Sequence, residues 1–391
     1  MAASRARGPR PAALSSPDAD RRYLRRALAL ARRALGETSP NPMVGAVLVR
    51  RGQVIGEGWH HRAGQPHAEV EALRDAARRG HSPAGATLYV TLEPCCTHGR
   101  TPPCTEAIQA AGITRVVVAA TDPNPRHAGR GLDLLRQAGI RVEAGLLADE
   151  SSRLNEIFHH WIVTHTPFVT VKAAMTLDGR IATAGGDSKW ITGERARTAA
   201  HGMRAAHDAV LVGVETVLHD DPALTVRRPG HPEMARRRLV LDTRARTPVS
   251  ARLATDAFAG RTVLFVGGRA PARRVAALRK RVRVVEVAER EGRVDPAAVL
   301  AWLAGEGITS VLVEGGGEVN AAFLEAGLAQ RVAFFIAPKV LGGADARRAV
   351  AGTGFGGPDA GPRFTQVVHR RLGPDLFWTA RVAAPPPGQG A

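Results

Sequence analysis

All three cysteines of this 391-residue chain fall between Glu93 and Cys104, in the stretch EPCCTHGRTPPC. A disulfide framework takes an even number of cysteines spread over several loops, and Cys95, Cys96 and Cys104 are neither even in number nor spread. A structural zinc site closed by four cysteines is out of reach. A catalytic zinc needs three protein ligands and keeps a fourth position open, so two of these thiolates and one histidine are enough.

The histidine lies upstream, in PHAEVEAL. His67 and Glu69 open a helix predicted over 67–79, with Val70, Leu73, Ala76 and Ala77 on one face and Gly80 after it. Cys95 follows the strand ATLYVTL, and Cys104 opens a helix that runs to Ala111. Strand ends and helix starts converge at one edge of a parallel sheet, and a helix N-terminus favours thiolate over thiol. His67, Cys95 and Cys104 are therefore the predicted ligands. Cys96 could replace Cys95, although the cysteine directly after proline fits the pattern better. Glu69, two residues from the ligand, should reach the water rather than the metal. Zinc nucleobase deaminases pair H-x-E with a later P-C-x-x-C and use the glutamate as general acid/base. Here eight residues, not two, separate the cysteines, and the longer loop brings His98 and Arg100 near the metal. His60, His61 and His98 read as polar loop residues rather than ligands.

The length calls for two domains. No apolar run approaches the ~20 residues that span a bilayer, so no membrane partner is expected. The first twenty residues, MAASRARGPRPAALSSPDAD, lack the apolar core of a secretion signal; a disordered extension and a cytoplasmic location are expected. The net charge of +18 raises the question of nucleic acid. Only Lys172, Lys189, Lys280 and Lys339 are lysines, so arginines make up the rest of the 54 basic residues, and they are scattered over many helices. Aromatics are 4% of the chain, too few for base-stacking platforms, and nucleic acid is not an expected partner.

Asp20 is placed to cap a helix over 21–35 that Gly36 stops. MVGAVLV and VIGEGW read as a hairpin. A strand RVVVAA, a helix over 131–138, a strand over 140–144 and a helix over 148–163 complete an α/β unit with a mostly parallel sheet. After the linker His165-Thr166-Pro167, strands are predicted near 168–174, 209–213, 238–242, 262–266, 283–287, 309–314 and 331–337. Helices are predicted near 194–206, 271–280, 296–305 and 318–326. The expected domains are thus 1–20 (extension), 21–165, 166–383 and 384–391 (tail). In the second unit LVEGGGEVNAAFLEAGL runs from strand through three glycines into a helix, whose first amides can cradle a phosphate. Gly315, Gly316 and Gly317 do not complete G-x-G-x-x-G, so that stretch alone allows dinucleotide binding or simple chain reversal.

The motifs TSPNPMVGAVLV, PHAEVEAL, TLEPCCTHGRTPPC and TDPNP, in this order, resemble the deaminase half of the bifunctional riboflavin-biosynthesis deaminase–reductases. VKAAMTLDGRIA, GDSKWITG and VETVLHDDPALTVR resemble their reductase half, and together the likeness covers about 21 to 382. It implies an α/β chain, with an N-terminal cytidine-deaminase-like α/β/α domain followed by a dihydrofolate-reductase-like α/β domain. It further implies one Zn2+, NADPH, a small phosphorylated pyrimidine substrate and a homo-oligomer. The implied activities are hydrolytic loss of the 2-amino group of a diaminopyrimidine and reduction of its ribosyl to a ribityl chain. By the family's pattern Asn41, His61, Arg100, Asp122 and Asn124 line the deaminase substrate site. Ala174, Trp190, Thr216, Asp220, Thr243 and Gly316, Gly317, Glu318, Val319, Asn320, Ala321 and Ala322 face the cofactor. Lys172, Ser188, Arg204, Leu224, Arg227 and Glu314 fall at reductase substrate positions, where Arg204 and Arg227 suit a phosphate through bidentate contacts. Two rivals are a nucleoside or nucleic-acid deaminase with an accessory domain and a non-catalytic zinc module. The long cysteine loop and reductase motifs disfavour the first; the open ligand position and Glu69 disfavour the second.

Overall fold

The computed structural model describes residues 16–98 and 102–383, and its contacts divide the chain into two compact units, Met1–Thr164 and His165–Ala391. Arg100, the tail 384–391 and residues 1–15 of the predicted extension lie outside the described residues.

In the first unit the strands are near-continuous apolar runs, because both faces of the sheet are covered. The elements in chain order are α1 (Pro17–Ala31), β1 (Gly45–Arg50), β2 (Gln53–Trp59), α2 (Ala68–Arg78), β3 (Thr87–Leu92) and α3 (Cys104–Ala110). They continue with β4 (Arg115–Ala120), α4 (Arg130–Gln137), β5 (Arg141–Ala144), α5 (Ala148–Leu154) and α6 (Glu156–Thr164). The strand order is β2-β1-β3-β4-β5; β1 runs antiparallel to both neighbours, and β3, β4 and β5 are parallel. Alternation divides the side chains cleanly. Ala46, Leu48, Leu88, Val90, Val116 and Val118 pack with α2, α3 and α4, whereas Val47, Val49, Tyr89, Val117 and Ala119 pack with α1.

Two expectations change here. The first helix begins at Pro17 and is capped by Ser16, whose Oγ accepts from Ala19 N at 3.3 Å. Asp20 is not a cap: it is buried, with Arg115 at 2.7 and 3.0 Å and Tyr89 Oη at 2.6 Å. An acidic residue that opens a helical pattern looks the same from sequence whether it meets a backbone amide or an arginine 95 residues away. The predicted helix over 148–163 is two helices broken at Asn155. Asn155 is buried; its Oδ1 accepts from Met43 N at 2.8 Å and its Nδ2 donates to Met43 O at 2.9 Å, which ties this corner to the start of β1.

The second unit holds a nine-stranded sheet. Its seven parallel strands, in spatial order, are 283–286, 262–266, 237–241, 209–213, 310–313, 168–176 and 331–337. All seven match sequence expectations. The sheet then ends in an antiparallel hairpin, Phe364–Leu372 with Asp375–Val382, which the sequence reading had not assigned. The outer strand of that hairpin is exposed on both faces, so it carries no alternation to read. The helices Glu194–Ala206, Ala272–Arg279, Pro296–Gly305 and Gly317–Glu325 fall where expected, and a short helix, Val214–Asp220, had been missed.

Candidate zinc and reductase sites

Helix α2 lies unusually close to β2 because Gly56 and Gly58 face it without side chains; a Cβ at either would overlap the backbone of Ala72. That close approach sets the height of the helix's first turn and places His67 at its N-cap over the end of β3. Cys104 opens α3 and Cys95 follows β3. Cys95 Sγ is 3.4 Å and Cys104 Sγ 3.3 Å from His67 Nδ1, and all three ligand atoms lie within 4.8 Å of one another. Tetrahedral zinc with Zn–S near 2.3 Å and Zn–N near 2.0 Å separates sulfur from nitrogen by about 3.6 Å, so this triangle fits the ion. The two thiols differ: the hydrogen bond that Cys104 donates to Cys95, then burial, pushes Cys104 well up, while Cys95 is biased toward the thiolate that ligation needs. Cys95 is pulled well below the usual thiol range, first by the hydrogen bond from Cys104 and then by His67, and the backbone N–H of Cys104 also donates to its sulfur at 3.3 Å.

Glu69 stands beside these ligands, buried at 3% exposure, with its Oε2 lacking any partner among the described residues. Burial, then the charge of Cys95, pushes its carboxyl up to about 7. A buried polar atom left unmatched costs free energy, so it marks a place where the fold waits for a ligand. Cys96 points elsewhere, its Sγ 3.5 Å from His127 Nδ1, and His98 is exposed.

The neighbouring imidazole differs from expectation. His61 is exposed and its ring lies 4.3 Å from that of Trp59. His60 is the buried one: its Nδ1 is 3.1 Å from Pro66 O, and its Nε2 is 3.1 Å from Asn41 Nδ2. A carbonyl only accepts, so Nδ1 carries the proton and Nε2 accepts from the Asn41 amide. Period-two alternation contained the signal, since His60 continues the inward face of Gly56 and Gly58 whereas His61 shares the face of Trp59. Asp122 is buried, which raises its carboxyl pKa, and it accepts from Asn124 N at 2.9 Å.

In the second unit a cavity of about 540 Å³ is lined by Lys172, Ala174, Ser188, Trp190, Arg204, Thr216, Asp220, Arg227, Glu314, Gly316 and Asn320, eleven of the sequence-predicted positions. At its floor Glu314 pairs with Arg204 through two contacts of 2.6 and 2.8 Å and with Lys172 at 3.5 Å. Burial pushes Glu314 up, but Arg204 and then Lys172 outweigh it and hold the carboxylate far below its usual range. Arg204 also donates to Thr225 O at 2.9 Å, leaving Arg227, exposed at the rim, as the freer guanidinium. Ser188 donates to Asp220 at 3.1 Å. The glycine turn opens here: nothing lies within 4 Å of a Cβ on Gly316, and Asn320 Oδ1 is buried without a partner among the described residues. The first amides of Gly317–Glu325 fit a phosphate, and the orphan Asn320 oxygen, which only accepts, fits a hydroxyl or amide donor of the same cofactor. Other predicted positions do not line the cavity. Leu224 and Ala321 are buried in the core, and Glu318 faces out to Arg293 at 2.7 Å. Thr243 accepts from Val294 N at 3.0 Å. Gly317 sits against Arg348 O, Val319 packs at the edge of the main core, and Ala322 is half-buried.

A zinc deaminase site and a separate reductase pocket on one chain define a two-activity enzyme. The model of the cytidine and deoxycytidylate deaminase zinc-binding region matches residues 17–120, and that of the RibD C-terminal domain matches residues 167–378. The riboflavin biosynthesis protein RibD of Actinobacillus pleuropneumoniae is 42% identical over 364 residues, covering 93% of this chain and 95% of that protein. The same protein of Escherichia coli K12 is 42% identical over 372 residues, covering 91% and 98%. The structure of Acinetobacter baumannii RibD superposes with a TM-score of 0.79 at 36% identity over 94% of this chain and 100% of that one. A Thermotoga maritima diaminohydroxyphosphoribosylaminopyrimidine deaminase/5-amino-6-(5-phosphoribosylamino)uracil reductase superposes at 0.81 with 35% identity over 94% and 99%. The chain belongs to the RibD family of riboflavin biosynthesis proteins. It is a zinc-dependent deaminase and an NADPH-dependent reductase.

Proposed function

We propose that the first unit deaminates 2,5-diamino-6-(5-phosphoribosylamino)pyrimidin-4(3H)-one and that the second reduces the product to 5-amino-6-(5-phosphoribitylamino)uracil. The observation that carries the reading is Glu69, buried with one unpartnered oxygen beside His67, Cys95 and Cys104. These three residues would hold one Zn2+, which supplies the Lewis acidity that makes a water nucleophilic near neutral pH. Glu69 takes a proton from the attacking water and returns it to the departing amine, a role suited to a carboxyl whose pKa is close to the working pH. Asn41, fixed by His60, and Asp122 with Asn124 orient the pyrimidine. Arg100, in the longer loop, is proposed for the phosphate from the family pattern alone.

In the second unit bound NADPH is the hydride source for C1′ of the opened sugar. Lys172 and Arg204 present positive charge to the cavity, and Glu314 fixes both in place through its two oxygens. Lys172 is placed to donate a hydrogen bond to a sugar oxygen, and Arg227 to meet the phosphate at the rim. The backbone of residues 316–322, with Ala174, Trp190, Thr216, Asp220 and Thr243, is assigned to the cofactor; Ser188 and Leu224 complete the substrate side.

The test supplies the diaminopyrimidine phosphate to the full-length zinc-loaded protein. Ammonia should appear without NADPH, and NADPH should be consumed only after the deaminated compound has formed. NADPH consumption with the undeaminated substrate, without ammonia, would reverse the assigned order. The described residues contain no helix long and apolar enough to cross a membrane. A cytoplasmic location agrees with three unpaired cysteines, and the proposed homo-oligomer rests on the family resemblance; sedimentation of the purified protein measures its assembly state.

A further inference from the structure

Glu93 is a buried carboxylate, 4% exposed, that the chemistry above does not use. It lies two residues before the ligand Cys95, at the end of β3. Among the described residues its hydrogen bonds come from backbone amides and not from an arginine or lysine. Its Oε2 accepts from Asp122 N at 3.1 Å and from Gly129 N at 2.9 Å, and its Oε1 accepts from Gly131 N at 2.9 Å. These donors are the two ends of one loop, which leaves β4 at Thr121 and enters α4 at Arg130. Within that loop each side chain passes the order onward. Asp122 Oδ1 accepts from Asn124 N at 2.9 Å, and Asn124 Oδ1 accepts from Arg126 N at 3.0 Å. The fit is tight, because a Cβ on Gly131 would run into Pro94 O and reach within 3.1 Å of Glu93 Oε1.

We infer that Glu93 is a positioning residue for the deaminase, a clamp that fixes the loop of Asp122 and Asn124 relative to the metal ligand Cys95. The tripeptide Glu93-Pro94-Cys95 carries the clamp at one end and the ligand at the other. The distance from the metal to the ring-binding carboxylate is thereby set by a rigid piece of chain rather than by a mobile loop. A carboxylate suits the post because it offers two acceptor oxygens to three N–H groups and has no donor to collide with them. A glutamine would turn an NH2 toward at least one of those amides.

The inference rests on the deaminase reading, and the experiment separates the two. Full-length zinc-loaded Glu93→Gln is compared with the parent for zinc per chain, deaminase kinetics and reductase kinetics on the deaminated intermediate. The clamp predicts that KM for the diaminopyrimidine rises about tenfold or more, while kcat falls less and zinc content stays at the parental level. Reductase kinetics in the same chain should not change. Amide exchange of residues 121–131 should accelerate. Gly131→Ala, which crowds Pro94 O and Glu93 Oε1 while leaving the Glu93 carboxylate in place, should raise KM in the same direction and serves alone if Glu93→Gln fails to fold. An unchanged KM in a folded, zinc-loaded variant overturns the clamp, as does an activity loss that only tracks lost zinc. A parent protein that releases no ammonia overturns the deaminase reading itself.

Discussion

Each unit centres on a buried glutamate, and the two have opposite electrostatic fates. Glu69 has an oxygen without a partner among the described residues, and burial with the nearby Cys95 charge raises its carboxyl to about 7. Glu314 is as deeply buried, yet Arg204 and Lys172 hold it far below the ordinary carboxylate range. Burial always disfavours the charged form; the partners decide which way the balance falls. Among the described residues the acid that must pick up and release a proton has no arginine or lysine paired with it, whereas the one that holds Arg204 and Lys172 in place is paired with both.

Replacing each glutamate by glutamine sharpens the contrast. Glu69→Gln removes the proton carrier but no metal ligand, so deamination should fall by about 10²–10⁴-fold while zinc stays bound. Zinc loss matching that of Cys104→Ser would make Glu69 a ligand and break the comparison. Metal analysis beside an ammonia assay decides it.

Glu314→Gln leaves Arg204 and Lys172 buried without their counter-charge. Removing one partner of a buried pair costs roughly 3–5 kcal/mol. Denaturant titration of the second unit should show a loss of that order, with reductase turnover reduced at least about tenfold. From sequence alone Glu314 reads as a substrate contact, whose loss would change stability little, or as a helix cap, whose loss would cost about 0.5–1 kcal/mol. Unchanged stability would mean that the triad is not formed in solution.

The pH dependence should separate the two sites by sign. In the metal-free protein Glu69 has a folded pKa above its unfolded value. Its protonated form is favoured by folding, so its contribution is complete below the ordinary carboxylate range and is lost as pH rises through about 7. Metal-free Glu69→Gln should therefore gain on the parent between pH 5 and pH 8, by an amount on the order of 3 kcal/mol. Glu314 has a depressed folded pKa, so its contribution is present above the ordinary carboxylate range and is lost only as pH falls through the lowered value. Glu314→Gln should thus be less stable than the parent throughout pH 5–8, with the gap closing only in acid. Stability curves that move in the same direction would remove the distinction.

The smallest expected effect tests neighbouring histidines. His60→Ala frees the Asn41 amide and should raise the deaminase KM about tenfold, whereas His61→Ala should change it by less than about twofold. Equal effects would mean that the bond between His60 and Asn41 does not orient the substrate.

Much of this was legible in the chain. The clustering of cysteines with PHAEVEAL pointed to the ligand triangle, because ligand type and placement on helix starts and strand ends are local properties. The seven parallel strands of the second unit were legible for the same reason: they are written as short apolar runs bounded by turns, fully buried at 209–213, 262–266 and 310–313 and only half-buried at the edge strand 283–286. The exposed hairpin strand 364–372 had no such pattern and was missed. Family motifs indicated which residues line the reductase cavity, but not that Arg204 spends its guanidinium on Glu314 and Thr225, 110 and 21 residues away in sequence. Asp20 reads as a helix cap and is instead a buried partner of Arg115; Glu93 reads as a motif letter and is instead a clamp on three amides. The sequence by itself determined the buried strands, most helices, the candidate ligand set and the two chemistries, because those depend on residue type and short-range period. Only the tertiary structure decided which buried charges meet, since that depends on the path of distant segments, and those meetings set the opposite proton affinities of Glu69 and Glu314.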